Sequence, residues 1–169
     1  MINFIIKNCD EQVINVNMLK NHFRIAHDHE DEYLNEIIKT ATNILEDNLN
    51  LSILHKTYNC IVDNYNANYF ITLPITNITS INSVTDSKNN AISFSTNNKY
   101  EITLNSTGAH FPISIKYNAG FTNNIEEIPN DLKLSTLQIS KNIYDNSEEY
   151  LLDSNFIQCV INKYKKLHI

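Results

Sequence analysis

The chain has 169 residues, 42% of them apolar and 19% charged, with a formal net charge of −6. That is the size of one domain with a modest core and a polar surface, and it excludes a membrane-embedded chain and a charge-rich disordered tail. Only two glycines occur, Gly108 and Gly120, so no Gly-rich phosphate cradle or G-x-G-x-x-G turn can be written, and of thirteen basic residues only Arg24 is an arginine.

In chain order, Asn17 to Phe23 predicts a short helical turn. After Ile25-Ala-His27, a long amphipathic helix is expected with Asp28 as N-cap. Asp28, Glu30, Asp31 and Glu32 load its first turn, where carboxylates complement the helix dipole. Leu34, Ile37, Ile38, Ala41, Ile44, Leu45 and Leu49 recur at helical spacing, with Glu36, Lys39, Asn43 and Asp47 opposite them. Beyond Leu54 the period falls to two, and strands are expected at 57–63, 69–73, 78–84, 91–94, 100–104 and 111–117. Polar turns at 86–90, 96–98 and 105–108 separate them, and Pro112 implies an edge strand or a strand's first residue.

Ile128-Pro129-Asn130-Asp131 predicts a third helix start, with Asn130 or Asp131 capping and Leu132, Thr136, Ile139 and Ile143 buried. A fourth starts at Asp153 or Ser154, carries Phe156, Ile157, Val160, Ile161 and Tyr164, and ends in Lys163, Lys165 and Lys166. The expected class is α+β: N-terminal helices, a central antiparallel β section of five or six strands, and two C-terminal helices. It is read as a single domain over 1–169, helical over 17–50 and 129–166 and β over 57–121.

The charge is uneven. Residues 1–50 carry nine acids against four bases, 51–125 three against four, and 126–169 seven against five. Cys9, Cys60 and Cys159 form no C-x-x-C pair, so they are read as reduced, packed thiols in a cytosolic setting. The first residues lack a leader's run of about seven apolar residues, and the three N-x-S/T sequons are read as products of an Asn-rich composition. His22, His27 and His29 among four acids are the one cluster that suggests a metal. On a helix start, however, His27 and His29 would diverge by about 200°. A small metal-dependent enzyme using His27 and His29 is the alternative reading. Nucleic-acid binding is disfavoured by the acidic balance and the single arginine.

Leu19-Lys-Asn-His-Phe-Arg-Ile25, followed by His27-Asp-His-Glu-Asp-Glu-Tyr-Leu34, resembles the opening of the head-tail connector (adaptor) proteins of long-tailed phages and gene transfer agents. Three further blocks follow in the family's order: Leu73-Pro-Ile-Thr-Asn-Ile-Thr-Ser-Ile81, Ile113-Ser-Ile-Lys-Tyr-Asn-Ala-Gly-Phe121 and Ile128-Pro-Asn-Asp-Leu-Lys133. Phe156 to Lys166 is similar to the closing helix. The family's second proline in the L-P-x-x-P block is replaced, with Thr76-Asn77 there, and Tyr144-Asp-Asn-Ser-Glu148 lacks an arginine found in the family's Y-x-N-R-E block. Residues 1–16 fall outside the resemblance and are expected to add a strand.

The resemblance implies a non-enzymatic structural protein without cofactor or metal, at the head-tail junction of a virion and in the bacterial cytoplasm during assembly. It implies a ring of about a dozen copies beneath the portal, closed by heterologous contacts, with a tail or stopper protein below and DNA passing without specific binding. No membrane is involved. Glu30, Asp31, Glu32 and Glu36 are then expected to face the DNA channel or a neighbouring subunit. Phe156, Tyr164, Lys165 and Lys166 are expected to dock on the portal.

Overall fold

The structure is a computed structural model that describes residues 2–7, 12–64, 70–98, 100–105, 109–145, 152 and 154–166, with 2–7 and Lys166 described for their backbone only. Its contacts divide into two compact units, one formed by residues 1–9 and 54–121 and the other by 10–53 and 122–169. The class is α+β, as the sequence predicts.

The first unit is β. Strands β1 (Ile2–Lys7), β2 (Lys56–Val62), β7 (Ile113–Ala119) and β4 (Ile78–Thr85) form an antiparallel sheet in the order β1-β2-β7-β4. Strands β3 (Ile71–Thr72), β6 (Glu101–Leu104) and β5 (Phe94–Asn98) form a second, in the order β3-β6-β5. Among the described residues the central section thus has six strands, and β1 is the strand expected from the N-terminal residues. Period-two burial is cleanest in β7, where Ile113, Ile115, Tyr117 and Ala119 are buried and Lys116 is exposed. Together with Tyr58, Cys60, Val62, Ile71, Leu73, Val84, Ile92, Ile102 and Leu104 they make one core.

Three strands differ from expectation. The one expected over 69–73 is only Ile71–Thr72, with Tyr69 outside the described residues. Ala91 makes only an isolated bridge to Thr85, and the fourth central strand begins at Phe94 and runs through Thr96–Asn98, the residues expected to turn. Asn is a poor strand former, but pairing with β6 across a register shift at 96–98 overrides that preference. Pro112 immediately precedes β7, which lies inside the sheet, so the proline's missing N–H costs the ladder nothing. Its bond to Phe111 is cis. Gly120 ends β7 at φ +140°, and a Cβ there would lie 2.4 Å from the Leu54 carbonyl oxygen. Both freedoms of glycine are used at this one position.

The second unit is helical: α1 (Val16–Phe23), α2 (Asp31–Leu49), a short 3-10 turn (Ile125–Glu127), α3 (Asn130–Tyr144) and α4 (Asn155–Lys166). Asn15 caps α1, accepting from the Met18 N–H at 2.8 Å. The α2 stripe packs as its spacing dictates, with Leu34, Ile37, Ile38, Ala41, Leu45 and Leu49 buried and Glu36, Lys39, Asn43 and Asp47 exposed. Leu19, Leu132, Ile139, Ile157, Val160 and Ile161 are buried as well, with Val13, Ile14, Leu51, Ile53 and Ile128. After Asn50 turns the chain with φ 53°, Glu46 reaches forward and its Oε1 accepts the Ile53 N–H at 2.7 Å. Glu46 is itself buried, so this bond satisfies a donor that water cannot reach.

The expected caps are corrected. Asp28 is not the N-cap of α2: Glu30 holds that position without a side-chain bond, because the Asp28 carboxylate is taken by Lys20. Pro129, not Asn130 or Asp131, is the N-cap of α3. Its carbonyl accepts from Leu132 and Lys133, while the Asp131 carboxylate serves α4. Ser154 starts α4 through its carbonyl, which accepts from Gln158 at 3.0 Å, and Asp153 lies outside the described residues.

Candidate functional site

The residues singled out by sequence fall on two surfaces of the helical unit. The first is the turn from α1 into α2. Arg24 adopts the left-handed conformation at the end of α1, with φ 60°, which reverses the chain toward α2. Lys20, on the last turn of α1, then lies against Asp28 and Asp31, its Nζ donating to Asp31 Oδ1 at 2.9 Å and also to Asp28. Those bonds raise the Lys20 ammonium above its ordinary range, the Asp28 bond most, and lower the Asp28 carboxyl below its own. Glu30 accepts from the Tyr144 hydroxyl of α3 at 3.0 Å, and that bond pushes the Tyr144 phenol up. Phe23 and Tyr33 flank the Tyr144 ring at 5.1 and 6.3 Å between centroids.

The four acids therefore differ. Asp31 and Glu30 are half-buried and bonded within the unit, whereas Glu32 and Glu36 are exposed on the first turns of α2. Glu36 also accepts from Lys39 at 2.8 Å. Tyr33 stands between these two acids with 52% of its surface exposed.

The second surface is α3 with α4. Tyr164 is buried, 5% exposed, and its hydroxyl donates to Asp131 Oδ1 at 3.0 Å, while Lys163 Nζ donates to Asp131 Oδ2 at 2.6 Å. Burial alone would raise the Asp131 carboxyl, but the bonds from Lys163 and Tyr164 outweigh it and hold the group below the usual range. Burial and the same bond push the Tyr164 phenol up. Of the expected docking residues, Phe156 and Lys165 are exposed, Tyr164 points inward, and the Lys166 side chain lies outside the described residues. Cys159 is exposed, which corrects its reading as a packed thiol: it sits opposite the stripe of Ile157, Val160, Ile161 and Tyr164. Cys60 is buried as expected, and Cys9 lies outside the described residues.

His27 and His29 do not diverge. They precede α2, so the helical angle per residue does not apply, and their rings stack with centroids 5.7 Å apart. Among the described residues, no group of three or more His, Cys, Asp or Glu side chains converges on one point. An open groove of about 580 Å³ lies in the β unit, between Ile78–Ile81 and Thr96–Asn98, walled by Ile78 and Ile81 together with the hydroxyls of Thr79, Ser80 and Thr96 and the amides of Asn97 and Asn98.

Residues 12–166 match the head completion protein family. This chain belongs to that family, one of structural virion proteins. No curated protein matches its sequence. Its fold is similar to that of a chain in the virion of a native gene transfer agent particle, at 16% identity and a TM-score of 0.63, covering 86% of this chain and 84% of that one. It is also similar to a chain in the neck of an empty gene transfer agent particle computed with C6 symmetry, at 15% identity and TM-score 0.66 with the same coverage. A third similar chain comes from the neck of a native particle computed with C12 symmetry, at 16% identity and TM-score 0.60, covering 83% of each. The likeness carries the resemblance drawn from sequence blocks to the level of fold. Among the described residues of this head completion protein, no helix is long and apolar enough to cross a membrane.

Lys20 and Glu46 went unseen in the sequence, and Asp131 was read as a cap rather than as the partner of α4. The signal for Lys20 was a lone base eight residues before Asp28, with an intervening break that folds the two together. For Asp131 the signal was an acid in the first turn of α3 and a Lys-Tyr pair late in α4, which antiparallel packing brings together.

Proposed function

We propose that this head completion protein assembles as a ring at the portal vertex, joins capsid to tail, and lets DNA pass without holding it. The observation that carries this reading is the family match over residues 12–166. The shared fold with chains of gene transfer agent necks, in particles treated with C6 and C12 symmetry, supports a multi-copy ring of about a dozen subunits. The protein acts by shape and surface, and makes or breaks no bonds. Its partners are its own copies, the portal protein and a tail or stopper protein, and it works at the head-tail junction after assembly in the bacterial cytoplasm.

In this arrangement the acids at the start of α2, Glu30, Asp31, Glu32 and Glu36, face the channel or a neighbouring copy, where carboxylates repel phosphate or attract lysine. The exposed Phe156 and Lys165 of α4, with Lys166 beyond them, meet the portal. Tyr164 holds α4 in place from beneath through Asp131. Electron microscopy of the protein mixed with its portal tests the whole reading. A closed ring capping the portal is expected, and a protein that stays monomeric and unattached in that mixture overturns it.

A further inference from the structure

The two units carry opposite charge. The helical unit, 10–53 and 122–169, has sixteen acids against eight bases, whereas the β unit, 1–9 and 54–121, has five bases against three acids. The four-stranded sheet buries one face in the core, and on the other face Thr57, Ser80 and Lys116 are exposed and their neighbours half-buried. Cross-strand pairing sets that outer face out in three rows: Thr57, Asn118 and Ser80; Asn59, Lys116 and Ser83; Ile61, Ser114 and Thr85. Side-chain bonds organise it, Asn118 accepting from Thr57 and Asn82 at 3.0 and 2.9 Å and Ser114 donating to Asn59 at 2.6 Å. None of the nine is a carboxylate, and the central residue, Lys116, is exposed.

We infer that this sheet face docks on the first turns of α2 of a second copy, with Lys116 meeting Glu36 and Glu32 and the flat amide surface covered by Tyr33. The three α2 residues are exposed and adjacent at i, i+1 and i+4, so they present one patch. An exposed tyrosine flanked by charge is a common energetic centre of protein contacts. The contact joins two different faces, as ring closure requires, and like copies repel if they meet acid to acid. The inference rests on the ring reading and assigns the acids of α2 to a neighbour rather than to the channel.

The test is sedimentation of the full chain at high concentration, in low and high salt, for the wild type, Lys116→Glu, Glu36→Lys and the double variant. Both changes are at exposed positions, and circular dichroism checks that the fold is kept. The expected result is salt-sensitive self-association, weakened on the order of tenfold by either single reversal and restored by the double one. If the singles associate like the wild type, the contact lies elsewhere and this inference fails while the ring stands. If the wild type does not associate in any salt or with its portal, the ring reading fails and takes the inference with it. If Lys116→Glu instead abolishes retention of a short DNA duplex with association unchanged, the face serves nucleic acid and the inference is overturned.

Discussion

The Tyr164 hydroxyl donates to Asp131 Oδ1 at 3.0 Å, linking the last turn of α4 to the first turn of α3. Lys163 completes the site on the other carboxylate oxygen. Because Tyr164 is buried, Tyr164→Phe removes the bond while keeping the ring, and the expected cost is about 1–2 kcal/mol. Chemical denaturation of the two proteins, read at the midpoint with an unchanged slope, checks it.

Asp131, Asp86 and Asp28 all have carboxyl groups held below their ordinary range. Asp28 is held by Lys20, Asp86 chiefly by the Asn90 side chain and nearby backbone N–H groups, and Asp131 by Lys163 and Tyr164 against the opposing effect of burial. A carboxylate with a depressed folded pKa contributes stability that is present above its unfolded value of about 4 and is lost as pH falls through the folded value. Stability is therefore expected to be flat in these groups from neutral pH down to about 4 and to fall below that. Asp131→Asn should be less stable at neutral pH and show a shallower acid slope, measured by thermal melts across pH. An unchanged slope would remove Asp131 from the account.

At Gly120 two constraints coincide: φ is +140°, and the Leu54 oxygen and the His55 backbone fill the space where a Cβ would stand. The Gly120 N–H also donates to the Asn77 carbonyl at 3.3 Å, so the chain cannot swing away without losing that bond. Gly120→Ala is expected to destabilise by at least about 2 kcal/mol, from backbone strain and overlap with atoms that are themselves backbone. A thermal melt of the variant tests this against Ala119→Gly, which opens space instead.

Periodicity made the architecture legible. The stripe of α2 and the alternation of β7 each have one buried face, and burial is what a repeating pattern records. The Pro74, Gly120 and Pro129 blocks carried the family resemblance for a similar reason, since each fixes the chain where an element starts or stops. What stayed hidden was the pairing of polar groups distant in sequence. Asp28 and Asp131 both have the local look of helix caps, but each side chain takes a lysine from another helix, where two full charges meet instead of a carboxylate and a backbone dipole. The same holds for the histidines, whose divergence would follow only on a helix, and α2 begins two residues later than expected. Cys159 was read as packed because thiols usually are, but it lies on the side of α4 opposite the buried stripe.

Glu46 is one such distant partner, and it is buried. Its Oε1 accepts the Ile53 N–H at 2.7 Å, while its own carbonyl takes the Leu51 N–H at 3.3 Å, so one residue governs the exit from α2. Glu46→Ala leaves the Ile53 donor without that acceptor in a dry site, at an expected cost of about 1–3 kcal/mol. Glu46→Gln retains an acceptor of the same reach and should recover most of it. Equal losses in the two variants, by denaturant midpoint, would show that the charge rather than the bond matters.

The two described cysteines should differ in reactivity in the folded protein. Burial pushes the Cys60 thiol up to about 11, so at neutral pH its thiolate is scarce as well as shielded inside the β core. Cys159 is exposed on the outer side of α4, beside the surface proposed to meet the portal. A maleimide at neutral pH should therefore modify Cys159 at once and Cys60 only after unfolding, as peptide mapping by mass spectrometry will distinguish. The rate at Cys159 also reports on docking. Adding the portal should slow its modification if α4 is covered, and leave Cys60 unchanged, since the core does not open when a surface is buried. Rapid native labelling of Cys60 would instead mean that the sheet core opens readily, contrary to its complete burial.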